Sequence, residues 1–290
     1  MPEGHTIHRA ARLQSKRFVG VDLRVSSPQG RFADGAARLD GHRIESIDAW
    51  GKHLFYRWNH GEVLHIHLGL FGRFRVHASD PPPPTDGTRL QMVADSGTLY
   101  LSGPTECSVI DPDTADDIVA GLGPDPLRSG DRGVAVEHMR TFLARRSVPV
   151  GSALLDQSVI AGLGNVYRAE ILFRLGINPL IESKTIDSSD VERMWDESVR
   201  QLRLGERSGR IVTTDPRDVG RERRSAIEDG ERTYVYKRKG QPCRRCGTDI
   251  VRDEIGSRKI WWCPSCQPDE GIIRPSHPNY RPSPRSSRQG

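Results

Sequence analysis

The spacing of apolar residues changes near residue 125, and the two parts of the chain predict different structures. At the start, residues 4–17 place Ile7, Ala11 and Phe18 on one stripe, as in an amphipathic helix. Short runs of strand-forming residues bounded by Gly, Pro, Asn and Asp follow at 21–26, 43–50, 53–58, 63–68, 73–77, 89–94, 99–102 and 107–110. Such a series of short strands indicates an N-terminal β-sandwich or barrel with a leading helix.

After residue 125 the apolar period becomes helical, which makes the expected fold class multidomain α and β. Helices are predicted at 134–145, 165–175 and 189–204. A polar, charged segment at 205–230 is interpreted as a mobile loop, and strands are expected again from 233 to 266. The predicted domains are a β-sandwich at 1–125, a helical domain at 126–232, a cysteine-bearing hairpin at 233–267 and a disordered basic tail at 268–290.

Basic residues are concentrated in one part of the chain. The whole sequence has 43 Lys or Arg against 38 Asp or Glu, a net charge of +5, and the stretch 200–262 has seventeen against ten. A basic segment on a near-neutral body is typical of a phosphate-binding surface, although a solvated charged surface gives the same count. No apolar run of about 18 residues and no secretory signal occur, so we expect a cytoplasmic, nucleoid-associated protein without membrane contact.

Four of the five cysteines form two pairs, Cys243-x-x-Cys246 and Cys263-x-x-Cys266, separated by sixteen residues. Zinc prefers four thiolates in a tetrahedron, and each C-x-x-C supplies two of them from one tight turn. We therefore predict one structural zinc ion, with Cys107 uninvolved; a redox pair is the competing interpretation. The expected hairpin tip carries two adjacent cations, Arg258 and Lys259, which suit either a DNA phosphate or plain solvation.

Two further motifs carry weaker signals. Removal of the initiator Met would expose Pro2 as a secondary amine with a pKa near 8, able to attack an aldehyde-like carbon, and Glu3 could then transfer protons. Many unrelated proteins also begin Met-Pro. Residues 154–170 read as helix, glycine turn, helix, with Asn165 where an N-cap belongs; this turn suits a phosphate or an ordinary helical hairpin.

The joint order of these motifs resembles one family. Met-Pro-Glu-Gly at the start, Trp50-Gly51-Lys52, the Leu-Leu-Asp-Gln…Ala-Gly-Leu-Gly-Asn turn and the paired cysteines are similar to the formamidopyrimidine-DNA glycosylase and endonuclease VIII family over roughly residues 1–267. The resemblance implies a β-sandwich, a helical domain with a helix–two-turn–helix motif, and a zinc finger, with damaged DNA between the domains. It also implies a monomer that acts on duplex DNA, with single-stranded DNA as a further candidate.

The resemblance further implies a bifunctional DNA glycosylase and AP lyase of base excision repair. The damaged nucleotide would flip out, and Pro2 would attack C1′ of its sugar to form a Schiff base that undergoes β- and δ-elimination. Glu3 would move protons at the sugar. Lys52, Asn165 and Arg258 would bind phosphates near the flipped nucleotide.

Leu70 and Phe71 match the loop that fills the space left by the flipped base; an ordinary place in the core is their alternative interpretation. Endonuclease VIII-like members have three bulky residues there, whereas Gly69 occupies the first position here. Thr6 stands where many members have a carboxylate, so a second acid is not assumed.

The Pro-Glu-Gly start and the Arg-Lys-Ile-Trp-Trp-Cys finger favour the endonuclease VIII branch and oxidised pyrimidines over purines. A catalytically silent zinc-finger DNA-binding protein of the same fold is the alternative function.

Overall fold

A computed structural model describes residues 2–268, and the chain divides into two compact units, Met1–Asp125 and Pro126–Gly290. The predicted basic tail lies, apart from its first residue, outside the described residues. Within the described part, no helix is long and apolar enough to cross a membrane.

The N-terminal unit is a sandwich of two four-stranded antiparallel sheets. Its strands are β1 (Arg24–Ser26), β2 (Ile44–Trp50), β3 (His53–Trp58), β4 (Val63–His67), β5 (Arg73–His77), β6 (Thr88–Ala94), β7 (Gly97–Ser102) and β8 (Glu106–Ile110). One sheet has the order β1-β6-β7-β5 and the other β2-β3-β4-β8. Every predicted run overlaps one of these strands, with ends that differ by at most three residues. The predicted fold class is confirmed.

The core of the sandwich lies between the sheets and under the first helix. Alternate residues of β3 and β4, such as Tyr56 and Ile66, are buried in one cluster with Met92 of β6 and Leu99 of β7. Helix α1 (Gly4–Phe18) adds Ile7, Ala11 and Phe18 to the same cluster, as its apolar stripe predicts.

Two helices of this unit were not predicted. Helix α2 (Ala33–Leu39) is short and buries only Ala36 and Leu39, which leaves too little periodicity to detect. Helix α3 (Pro112–Ala120) has a readable start: the Asp111 carboxylate accepts the backbone N–H of Thr114 at 2.7 Å, and Pro112 occupies the first turn.

The C-terminal unit contains four helices and one hairpin among its described residues. They are α4 (Arg132–Ala144), α5 (Val150–Ala153), α6 (Asn165–Leu175), α7 (Ser188–Ser208), β9 (Val251–Ile255) and β10 (Arg258–Trp262). Helices α4 to α7 share one core around Met139, Leu172 and Met194. A second core joins Phe173 of α6 to Tyr234, Ile260, Cys243 and Cys263.

Two sequence expectations need correction here. The segment 205–230 begins as the end of α7 and then forms short 3-10 turns, and Arg221 within it pairs with Glu228 and Glu231. Part of its charge is thus paired within the protein, and its polar composition is compatible with short helical turns. The region 233–266 has strands only in the hairpin β9–β10, because the cysteine turns on either side cannot continue a strand.

A buried carboxylate attaches the base of the hairpin region to α6. Glu170 is fully buried and accepts the backbone N–H groups of Tyr234, Val235 and Tyr236 at 2.7, 2.9 and 2.8 Å. Because charge-assisted hydrogen bonds are stronger than neutral ones, this contact fixes the entry into the cysteine region against the helix.

Candidate active site and DNA-contacting residues

The start of α1 carries the predicted nucleophile and acid. Pro2 is half-buried, and Glu3, the N-cap residue, is completely buried; its carbonyl accepts the N–H of Thr6 at 2.8 Å. The neighbouring His5 is 4% exposed, and burial lowers its pKa to about 4, so its ring is neutral at physiological pH. Thr6 Oγ1 lies 3.2 Å from His5 Nε2, which provides a hydroxyl and no second acid.

One carboxylate connects α1 to the turn that carries Lys52. Asp125 is buried; its Oδ2 lies 2.7 Å from His8 Nε2 of α1 and accepts the backbone N–H of Gly51 at 2.7 Å. Trp50 Nε1 donates to the Gly123 carbonyl at 3.1 Å, which fixes the other side of the same turn. The helix that begins at Glu3 and the residue preceding Lys52 therefore share one anchor.

A row of histidines follows Lys52 on the outer face of the sheet. His53 Nδ1 lies 2.9 Å from His65 Nε2, and the ring centroids of His53 and His67 are 5.0 Å apart. Burial, followed by neighbouring His65, His67 and Lys52, lowers the pKa of His53 to about 3, and burial also lowers the pKa of His65 and His67. The row is consequently neutral at physiological pH and adds hydrogen-bonding capacity without charge.

Leu70 and Phe71 lie on the surface, which removes the interpretation that they are core residues. Leu70 is 51% exposed and Phe71 is 84% exposed. Gly69, the departure from the three-residue pattern, has φ +63°, and a Cβ there would lie 1.8 Å from Thr105 Oγ1. Thr105 also donates its N–H to the His67 carbonyl at 3.0 Å. The positive φ and the contact with Thr105 favour glycine at this turn, and the next two apolar side chains project into solvent.

The glycine turn before α6 is held by Gln157 and ends differently from the prediction. Gln157 Nε2 donates to the Leu163 carbonyl at 3.1 Å, and its Oε1 accepts the N–H of Gly162 at 3.1 Å. Gly164, not Asn165, is the N-cap of α6. Asn165 is the first residue of the helix, and its Oδ1 accepts a hydrogen bond from Arg168 at 2.6 Å, so that oxygen serves the arginine instead of capping the helix.

The four paired cysteines come together as the spacing predicts. Their four Sγ atoms lie within 4.8 Å of one another. The Sγ atoms of Cys243 and Cys266 are 3.9 Å apart, and those of Cys246 and Cys263 are 3.4 Å apart. Four thiolates around zinc at about 2.3 Å are separated by roughly 3.8 Å, so the cluster fits the ion. Cys107 is not a member of this group and belongs to β8. The four cysteines form a structural zinc site with every ligand supplied by protein.

Arg258 is the exposed first residue of β10 and the last residue of the tight turn Ile255–Arg258. Gly256 takes φ +62° in this turn, and Arg258 pairs with Ile255 in the strand register. Both Arg258 and Lys259 are exposed. The zinc site and the core beneath it thus present two cations on a short, well-supported strand.

Sequence reasoning missed Asp125 and Arg168, whose partners are distant in the chain. Asp125 stands in Gly-Pro-Asp-Pro, a stretch that was interpreted only as a domain boundary. Arg168 lies three residues after Asn165 on α6, and this helical spacing was the one available signal.

Comparisons with known proteins match this arrangement along nearly the whole chain. The formamidopyrimidine-DNA glycosylase N-terminal domain matches residues 1–109, the helix–two-turn–helix domain of the same glycosylases matches 122–216, and the zinc finger found in these enzymes and in isoleucyl-tRNA synthetase matches 240–268. Endonuclease 8 1 of Mycobacterium tuberculosis is 45% identical over 272 residues, which cover 92% of this chain and all of the relative.

The chain belongs to the formamidopyrimidine-DNA glycosylase family. It is a DNA glycosylase with AP lyase activity, an enzyme of base excision repair. The formamidopyrimidine-DNA glycosylase of Rhizorhabdus wittichii is 32% identical over 282 residues, covering 92% of this chain and 98% of the relative. The crystal structure of the MutM (Fpg) protein of Thermus thermophilus matches with a TM-score of 0.74 at 27% identity, over 92% of this chain and 98% of that one.

Proposed function

We propose that the enzyme excises oxidised bases, pyrimidines in preference to purines, through its N-terminal proline. The observation that carries this proposal is the shared anchor at Asp125. Its carboxylate binds His8 of α1 and the backbone N–H of Gly51, so the helix that begins beside Pro2 and Glu3 is linked to the turn that carries Lys52. A catalytic set needs such fixed relative positions, because positioning supplies a large part of the rate.

The chemistry follows from the residues in order. With Met1 removed, the neutral fraction of the Pro2 amine attacks C1′ of the flipped nucleotide, forming a C–N bond as the base leaves. Glu3 exchanges protons with the sugar as the ring opens. The resulting iminium acidifies C2′, so the 3′ phosphate leaves by β-elimination and the 5′ phosphate leaves by δ-elimination.

DNA is held in this proposal mainly through its phosphates. Lys52, Asn165 and Arg258 contact phosphates near the lesion, while Leu70 and Phe71 occupy the space vacated by the flipped base. The ligand is damaged duplex DNA, with single strands as a further substrate, and the enzyme acts as a monomer at the nucleoid with one zinc ion. That zinc supplies folding energy to the hairpin when bound.

The preference for pyrimidines rests on similarity to endonuclease 8. The mycobacterial endonuclease 8 1 is 45% identical to this chain, whereas the formamidopyrimidine-DNA glycosylase of Rhizorhabdus is 32% identical. A panel of duplexes, each with one oxidised pyrimidine or oxidised purine, tests this preference by comparing kcat/KM. Faster excision of purines would overturn the pyrimidine assignment and leave the mechanism standing.

A catalytically silent DNA-binding protein of the same fold is the alternative. Retention of Pro2, Glu3 and Lys52 argues against it. Strand cleavage at a preformed abasic site separates the two, because a binder leaves the strand intact at every enzyme concentration.

A further inference from the structure

The side chain of Arg168 joins three segments that are far apart in the chain. Arg168 lies on α6 and is fully buried. Its Nη1 donates to the Gly151 carbonyl of α5 at 2.5 Å, and its Nη2 donates to Asn165 Oδ1 at 2.6 Å and to the Lys259 carbonyl of β10 at 2.9 Å. One guanidinium therefore contacts the glycine-turn region and the zinc hairpin together.

The contact with Asn165 determines which way that amide points. A guanidinium has only donors, so the atom of Asn165 that faces Arg168 must be the oxygen. The NH₂ group is then directed away from the arginine. A phosphate oxygen needs a donor, and this orientation presents one at the first residue of α6.

The contact with Lys259 constrains the neighbouring cation in the same way. Lys259 directly follows Arg258, and its carbonyl is held by the arginine on α6. The exposed side chain of Arg258 thus projects from a strand whose backbone is fixed to the helix that carries Asn165. Asn165 and Arg258, the two candidate phosphate-binding residues, are thus both held through Arg168, and both belong to the C-terminal unit.

We propose that Arg168 is a positioning residue that sets Asn165 and Arg258 to bind DNA phosphates together. The inference rests on the proposed phosphate roles of those two residues. Because Arg168 is fully buried, it acts through them and does not contact DNA itself. Burying a guanidinium is costly, and its carbonyl and amide acceptors offset that cost only in this arrangement.

The experiment is a double-mutant cycle on the full-length zinc-loaded protein. Its variants are Arg168→Lys, Asn165→Ala, Arg258→Ala and the two doubles that contain Arg168→Lys. Binding to a duplex with a tetrahydrofuran abasic analogue is measured over a range of salt concentrations. Arg168→Lys keeps the charge and shortens the reach, so it removes the three-way contact with the least risk to folding. Zinc content and thermal unfolding are recorded for each variant.

We expect Arg168→Lys to weaken binding about tenfold and to reduce the slope of log affinity against log salt by about 1, the value for one lost phosphate cation. In the Asn165→Ala and Arg258→Ala backgrounds the same change should cost clearly less, because one of its two targets is already gone in each. Arg238→Lys is the matched control: Arg238 is also buried and donates to the Tyr234 and Pro242 carbonyls, so it reports general loosening of the hairpin.

Additive effects in both cycles, or an equal effect of Arg238→Lys on the salt slope, would overturn the positioning role. If Asn165→Ala and Arg258→Ala both bind as the wild type does, the proposed phosphate contacts themselves are wrong. These two failures are distinguishable, because the first leaves the single alanine variants impaired.

Discussion

Glu3 combines complete burial with a position next to the proposed nucleophile. Glutamates are rarely buried completely in proteins, so the site must stabilise this one specifically. Neutral His5 lies beside it, and the buried Asp125 fixes the helix one turn further on. Burial of Glu3 and the Asp125 contact with His8 fix the start of α1, which is what a proton-transferring residue needs.

Glu3→Gln should reduce base excision from an intact damaged nucleotide by about 100-fold or more, the usual contribution of a positioned acid or base. Cleavage at a preformed abasic site should fall much less, because the base is already absent. Single-turnover rates on the two substrates measure this difference. Glu45→Gln, an exposed change on β2, serves as the control. Equal losses on both substrates would show that Glu3 maintains structure only.

At the scale of elements, local signals located the strands, the main helices and the zinc site. All three depend on short-range features: period-two and period-3.6 spacing, and fixed cysteine spacing. The contacts of Asp125 with His8 and of Arg168 with Gly151 could not be predicted from local spacing, because they join residues 117 and 17 positions apart in the chain. The N-cap of α6 is Gly164 and not the predicted Asn165, whose side-chain oxygen accepts a hydrogen bond from Arg168 three residues further along the same helix.

The loop after β4 gives the element-scale test of base displacement. Replacing Leu70 and Phe71 together by alanine should slow excision from duplex DNA by about tenfold or more, because unstacking costs a few kcal/mol. Excision from single strands should change little. Leu13→Ala, which alters another exposed apolar residue of the same unit, is the control and should leave both rates unchanged. Equal slowing on both substrates would contradict a role in filling the vacated space.

The zinc hairpin gives a second test at this scale. Cys263→Ser should lower zinc content below one ion per chain, reduce the melting temperature and weaken DNA binding, because metal binding contributes folding energy directly. Elemental analysis and thermal unfolding measure the effect. Cys107→Ser, outside the cluster, should retain a full zinc complement. Native protein without zinc would contradict the assignment.

At the scale of the whole molecule, buried neutral histidines make stability depend on pH. The folded pKa values of His5, His53, His65 and His67 lie below the usual value of about 6.5. The unfolded chain therefore takes up more protons as the pH falls below that value, so protonation favours unfolding. Well above pH 6.5 these histidines are neutral in both states, so they add no pH dependence to the free energy of unfolding.

The free energy of unfolding should thus fall as the pH is lowered from 6.5 towards about 5, above the range in which most carboxylates titrate. Urea unfolding of the full chain at several pH values measures this slope. His65→Gln should flatten it, whereas His60→Gln, at an exposed position, should not. A free energy of unfolding that stays constant between pH 7 and 4.5 would contradict the neutral, buried histidine row.

The central claim is that Pro2 forms a Schiff base with the sugar, and borohydride trapping tests it most directly. The protein is mixed with an abasic duplex and sodium borohydride, and the crosslinked peptide is identified by mass spectrometry. We predict a stable covalent adduct at the N-terminal residue after loss of Met1, and none in a variant whose N-terminus is extended, although that variant still binds DNA. An adduct that maps to Lys52, or one that persists undiminished in the extended variant, would contradict the proposed nucleophile.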